Sequence, residues 1–153
     1  MRVNISSGAP LESRIGFSRA VRIGNLLAVA GTAPVSPDGS VAAPGDVRGQ
    51  TRRCLQIIAA ALAAAGLEMS GVIRIRILLT DIDTWREAAK AYREFFPPGN
   101  RPACTFVEVR RFIDRRWLVE VEADGVFADD PAPSGPEPGE RHPVRRTERA
   151  EAA

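Results

Sequence analysis

Few side chains in this sequence are equipped for bond chemistry, and the missing types narrow the choice. The single histidine, His142, lies in a proline-crowded stretch, and the two cysteines, Cys54 and Cys104, are far apart. That removes a histidine-based serine or cysteine triad and the histidine-rich zinc hydrolases. Two cysteines so placed make neither a disulfide scaffold nor a metal site. Carboxylates, arginines, hydroxyls, thiols and backbone amides remain. Glu120 is the most informative, set between Val119 and Val121 in "WLVEVEAD". A carboxylate between two valines needs a cation, a water or a proton to move. Arg74 and Arg76 alternate with isoleucines in "VIRIRILL" and are natural ion-pair partners for it. Cys104, in "RPACTFVEV", is a nucleophile only if a nearby arginine or helix N-terminus lowers its pKa. The plainer reading is a small, half-buried hydrophobe. Cys54 sits on an apolar helix stripe and reads as core.

The elements that must position these groups follow from periodicity. "GFSRAVRIGNLLAVAGTAP" places Gly24-Asn25 between two apolar runs, a β-hairpin with strands near residues 18–23 and 26–30. Asp46 is a good N-cap and Gly66 a good C-terminal glycine for the helix between them. Its stripe is Thr51, Cys54, Leu55, Ile58, Ala61, Leu62 and Ala65. In the next strand Ile73, Ile75, Ile77 and Leu79 face one side and Arg74 and Arg76 the other. Asp83 or Thr84 caps a second helix with a stripe of Trp85, Ala88, Ala89, Tyr92 and Phe95 or Phe96, stopped by Pro97-Pro98-Gly99. Two further strands, joined by a turn around Asp114, complete the order ββαβαββ. This is an α+β two-layer sandwich with two helices on one face of a mixed sheet.

The 153 residues, 44% hydrophobic, suit one domain. Residues 1–128 are expected to fold. Residues 129–153, rich in proline and arginine, bury too little to offset their ordering entropy and are expected to be disordered. No apolar run approaches a membrane span, and the N-terminus has no signal-peptide pattern, so a cytoplasmic protein is expected. The net charge of +2 is no nucleic-acid signature. Arg141, Arg145, Arg146 and Arg149 fall in the tail, which leaves residues 1–128 expected near neutral. The polar sheet face, with Arg74, Arg76, Thr105, Val107, Glu120 and Glu122, needs cover, and self-association is the simplest cover.

Several stretches together resemble the Rid (RidA/YjgF-like) family: "GFSRAVRIGNLLAVAGTAP", "QTRRCLQIIAAALAAAGLEMSGVIRIRILLTDIDTW", "AYREFF", "RPACTFVEV" and "WLVEVEADGVF". The resemblance implies a chorismate-mutase-like fold and a homotrimer with ligand clefts between subunits. It also implies hydrolysis of 2-imino or 2-enamino acids without metal or cofactor. Residue by residue, it places the water-linked carboxylate at Glu120 and the backbone-donor glycine at Gly31, beside Thr32. The early aromatic falls at Phe17, which lacks a hydroxyl, and a helix amide falls at Ala89. Cys104 stands where the family's carboxylate-anchoring arginine follows "PA", next to Thr105 and Phe106. Losing a desolvated bidentate pair costs a small carboxylate ligand about 2–5 kcal/mol. The pattern resembles the arginine-lacking branches of the family.

The expected function is therefore action on, or binding of, a small reactive imine- or enamine-type metabolite. The binding residues would be Phe17, Gly31, Thr32, Cys104, Thr105 and Phe106, and Glu120 the catalytic group. A non-catalytic trimeric binding module is the alternative. RNA cleavage is weaker, and neither nucleic acid nor membrane is expected as a partner.

Overall fold

The computed structural model describes residues 1–128. The tail expected to be disordered lies outside the described residues. The elements are β1 (Arg2–Ile5), α1 (Pro10–Ile15), β2 (Ala20–Ile23), β3 (Leu26–Thr32), α2 (Val47–Ala65), β4 (Val72–Leu79), α3 (Trp85–Phe95), β5 (Ala103–Glu108) and β6 (Val119–Val126). One six-stranded mixed sheet runs β1-β2-β3-β6-β4-β5, antiparallel except where β4 pairs β5. α2 and α3 pack together on one face, and the α+β two-layer sandwich holds.

The local signals work where chemistry is local. Gly24 takes a φ of 59° and closes the β2–β3 hairpin with Ile23 opposite Leu26. Asp46 accepts a hydrogen bond from Gly49 N–H, and Gly66 at φ 81° ends α2 with its N–H on Ala63 and Leu62 carbonyls. The buried side of α2 is Gln50, Thr51, Cys54, Leu55, Ile58, Ala61 and Leu62. It meets Ile75, Ile77, Leu79, Val119, Val121 and Ala123 of the sheet in one core.

Five expectations change. The chain has six strands and three α-helices, because β1 pairs β2 and "PLESRI" forms α1, whose first turn begins on Pro10. β5 and β6 are not a hairpin: β4 lies between them, and the ten-residue link at 109–118 is long enough to cross it. Ile73 is not in the core. A register shift between Val72 and Arg74 turns it outward, 53% exposed, while Val72 and Ile75 are both buried. The side-chain cap before α3 is Asp81, which accepts from Asp83 N–H, and Thr84 makes no side-chain cap. In α3, Ala91 is buried with Ala88, while Trp85 stays 39% exposed.

Arg74 and Arg76 stand directly across from Asp124 and Glu122. Arg76 Nε lies 2.7 Å from Glu122 Oε2, and its Nη1 lies 3.5 Å from Asp124 Oδ2. These pairs are internal to the chain. Glu120 sits opposite Leu78, so within one chain it does not pair with Arg74 or Arg76. Among the described residues no helix is long and apolar enough to cross a membrane.

Candidate functional site

The ladder between β3 and β6 is regular until Val29, then slips before Thr32, leaving Ala30 and Gly31 in a bulge. Bulges redirect backbone and side chains beside sites. The bulge is held by Arg19, only 6% exposed, whose Nη1 donates to Gly31 O and to Thr32 Oγ1, both at 3.0 Å. Thr32 in turn donates to Ala30 O, and Ala30 N–H donates to Arg19 O. The Phe17 ring lies 5.2 Å from the guanidinium carbon. A guanidinium buried this deeply must satisfy its donors or pay for desolvation. Its Nε finds no hydrogen-bond partner, and the nearest carboxylate oxygen, Glu12 Oε1, is 3.8 Å away.

Two carboxylates flank this arginine and behave oppositely. Burial pushes the Glu12 carboxyl up, but the Ser6 and Ser7 hydroxyls, the Ser7 N–H and the charge of Arg19 outweigh it and hold it below its usual range. Glu12 is therefore a structural anion, fastened across α1 by the preceding loop. Glu120 is pushed up by burial, and the attraction of Arg19 offsets only part of that. A half-buried carboxyl that gains a proton readily is suited to acid–base work. It also touches the bulge: a Cβ on Gly31 would lie 3.0 Å from Glu120 Oε2. A side chain at position 31 would make that carboxylate shift by a few tenths of an ångström.

A cleft of about 440 Å³ opens beside these groups. Arg19, Gly31 and Glu120 line it together with Arg53, Ile113 and Trp117. Gln50, wholly buried, fixes the wall: its amide donates to Arg116 O, and its carbonyl accepts from Leu118 N–H at 2.8 Å. That tether positions Trp117 and the start of β6, and so Glu120 two residues on. Among the described residues no group of His, Cys, Asp and Glu could hold a metal ion.

The residues expected to share a site divide into two sets. Phe17, Gly31, Thr32 and Glu120 gather around Arg19, although Thr32 is fully buried and touches the cleft only through that arginine. Cys104 and Phe106 lie elsewhere. They pair with Ile75 and Ile77, the core-facing residues of β4, and so face the helix layer. Phe106 meets Trp85 edge-on at 6.2 Å, and the Tyr92 hydroxyl lies within hydrogen-bonding reach of Cys104. Burial pushes the Cys104 thiol up, which the Tyr92 contact only partly counters, so the thiolate that a nucleophile needs is disfavoured. Thr105 shares the open face with Arg76, two strands from Glu120. Within one chain Cys104 and Glu120 therefore occupy opposite faces of the sheet. Cys54 is core, fully buried, and burial pushes its thiol far up.

Sequence reasoning passed over Arg19 and Gln50, both polar residues on otherwise apolar faces. The signal for Arg19 was available, since an arginine directly before Ala20 in a buried hairpin needs acceptors. The expectation of a near-neutral folded part also fails, because the tail's four arginines are outweighed by its six carboxylates. The positive excess sits in residues 1–128.

Comparison with known proteins bears on the family and the fold. Residues 8–127 match the family model described as endoribonuclease L-PSP. A crystal structure of a Mycobacterium tuberculosis member of the YjgF/YER057c/UK114 family is 42% identical and superposes with a TM-score of 0.73, covering 83% of this chain and 100% of that one. A RutC family protein of Pyrococcus horikoshii is 36% identical over 107 residues, 70% of this chain and 83% of that protein. The 2-iminobutanoate/2-iminopropanoate deaminase of Escherichia coli is 31% identical over 113 residues, 72% of this chain and 86% of that enzyme. The chain belongs to the endoribonuclease L-PSP family, the YjgF/Rid family that its sequence resembles.

Proposed function

We propose that this protein hydrolyses a small reactive imine or enamine in the cleft at Gly31 and Glu120, working as a homotrimer. The observation that carries the reading is the half-buried Glu120 carboxyl, raised in pKa by burial and set against a glycine that leaves it room. Glu120 as carboxylate takes a proton from water as the oxygen attacks the imine carbon. Glu120 returns that proton to nitrogen to give the neutral carbinolamine, then carries the hydroxyl proton to nitrogen as the C–N bond breaks, so that the carbonyl forms and ammonia leaves. The sum is imine plus water giving carbonyl plus ammonia, with Glu120 restored. Arg19 keeps the bulge in place and favours the carboxylate form of Glu120, the form that takes the proton from water. A similar relative named as an iminobutanoate/iminopropanoate deaminase supports the reaction class. The open sheet face, with Val107 43% and Ile73 53% exposed, supports cover by further copies.

Ammonia release from a panel of imines, generated in situ by amino-acid oxidases, tests the reading. The wild type should accelerate release, and Glu120→Gln should lower the rate about 100-fold or more. The acid limb of the rate profile should lie above the ordinary carboxylate range, because activity needs Glu120 ionised and burial delays that ionisation. Equal rates for the two proteins would end the reading. A non-catalytic binding module is favoured by one observation, the thiol where a charge anchor would stand. Saturable ligand binding that survives Glu120→Gln and yields no product would select it.

A further inference from the structure

The link between β5 and β6 carries four arginines in seven residues, Arg110, Arg111, Arg115 and Arg116. Arg116 is committed, since its Nη2 lies 2.7 Å from Asp114 Oδ2 and its Nε donates to Asp114 Oδ1. Arg110, Arg111 and Arg115 form no ion pair among the described residues, unlike Arg74 and Arg76 on the open sheet face. All three line one open cavity of about 510 Å³, together with Thr80 and Phe112. An adjoining open cavity of about 490 Å³ shares Arg111 and Phe112 with it and is lined also by Ile113 and Glu120. Ile113 and Glu120 in turn line the cleft at Gly31. The three hollows are therefore one groove, with guanidiniums at one end and the raised carboxyl of Glu120 in the middle.

The loop is held at both ends, so this arrangement is built into the fold. Val109 N–H donates to Leu79 O, Thr80 N–H to Leu118 O, and Trp117 N–H to Asp114 O. Three like charges around one concavity repel one another, and a concave wall focuses their field on whatever anion enters. Planar guanidiniums take carboxylate or phosphate oxygens two at a time. The folded residues also carry the chain's positive excess.

We propose that this groove is an anion site in which Arg110, Arg111 and Arg115 hold a phosphate or carboxylate group of the ligand, beside Glu120. The charge anchor missing from β5 at Cys104 is supplied by the loop that follows it. The ligand is then a small anion whose charged group lies along the groove from the reacting carbon. This placement rests on the reading of Glu120 as the reacting group, while the anion site itself can be tested apart from it. An RNA strand is the less favoured occupant, because the arginines form one compact cluster with a single aromatic ring, Phe112, and no track of stacking platforms.

The test titrates full-length protein with inorganic phosphate and, separately, with malonate, followed by calorimetry and by arginine side-chain NMR. Saturable binding of either at about 1–10 mM is expected. Arg111→Ala/Arg115→Ala should weaken it about ten-fold, and Arg93→Ala, an exposed arginine of α3, less than about two-fold. Preference for phosphate would assign a phosphorylated ligand, and preference for malonate a carboxylate. A circular dichroism melt checks that the double variant folds, and Arg115→Gln carries the test if it does not. Equal binding by the double variant, absence of saturation, or binding of a single-stranded oligoribonucleotide alone would overturn the proposal. Phosphate binding should survive Glu120→Gln within about two-fold. Anion binding without imine turnover would keep this site and remove the hydrolase reading, and turnover without anion binding would do the reverse.

Discussion

The middle of the sheet and its β5 edge are written in the same alternating code, yet they have been spent differently. At β3 and β6, polar groups are buried, bonded and placed against one another: Arg19 on the Gly31 carbonyl, Thr32 on Arg19, Glu120 against Gly31. At β5 the strand pairs on one side only, most of its residues are exposed, and its polar handle is a thiol turned toward α3. Buried polar networks are costly unless complete, so the chain maintains one only where it has a use. The lesson is that chemistry here is to be sought where burial and hydrogen bonding converge, around Glu120. Cys104 on β5 carries no such network.

The largest expected effect breaks the middle. Arg19→Met removes the donor from Gly31 O and Thr32 Oγ1 and leaves Glu12 and Glu120 without their shared cation. Breaking a buried charge network by removing one partner should cost about 3 kcal/mol, read from urea denaturation. Arg19→Lys, which keeps the charge but loses the fork, should recover about half of that. If Arg19→Met melts within about 0.5 kcal/mol of wild type, the bulge is held by something else and the contrast between the two regions collapses.

A smaller effect sharpens the same comparison. Gly31→Ala should cost about 1 kcal/mol, because the new methyl meets Glu120 Oε2 at 3.0 Å and the carboxylate must swing into the cleft to make room. In a Glu120→Ala background the same change should cost less than about 0.5 kcal/mol. A double-mutant cycle on thermal or urea stability gives the coupling directly. A cycle that closes to zero would mean that Gly31 is needed for its backbone alone and that Glu120 does not pack against it.

Much of this was legible in the sequence wherever one or two residues decide the outcome. Gly24 turning a hairpin, Asp46 and Gly66 bracketing α2, and the Ile75–Leu79 alternation all act within a few positions. The insertion of β6 between β3 and β4 was not legible, because strand order is decided by long-range pairing that no local pattern encodes. Ile73 misled for a related reason: alternation fixes faces only while the register is unbroken, and one bulge turned it outward. Arg19 and Gln50 were missed because a polar residue on a strand or helix reads as surface until its partners are known. Those partners lie 12 to 68 positions away.

The smallest expected effect belongs to β5, and there the prediction is one of silence. Cys104 is exposed at the edge strand, and Cys54 is fully buried in the core. Cys104→Ala removes one contact with Tyr92 and should change stability by less than about 0.5 kcal/mol, where Cys54→Ala should cost about 1–2. An aromatic disulfide reagent should label one thiol per folded chain. It should do so slowly at neutral pH, because the sulfur, though reachable, is partly desolvated beside Tyr92, and that desolvation raises the thiol above its ordinary value and keeps the thiolate scarce. If Cys104→Ala instead abolishes imine turnover, or if labelling at neutral pH is fast, β5 is part of the working site. Since Cys104 faces away from Glu120 within one chain, that outcome would require the thiol to act in a cleft completed by a second copy. The division between the two regions would then be a property of the isolated chain and not of the assembly.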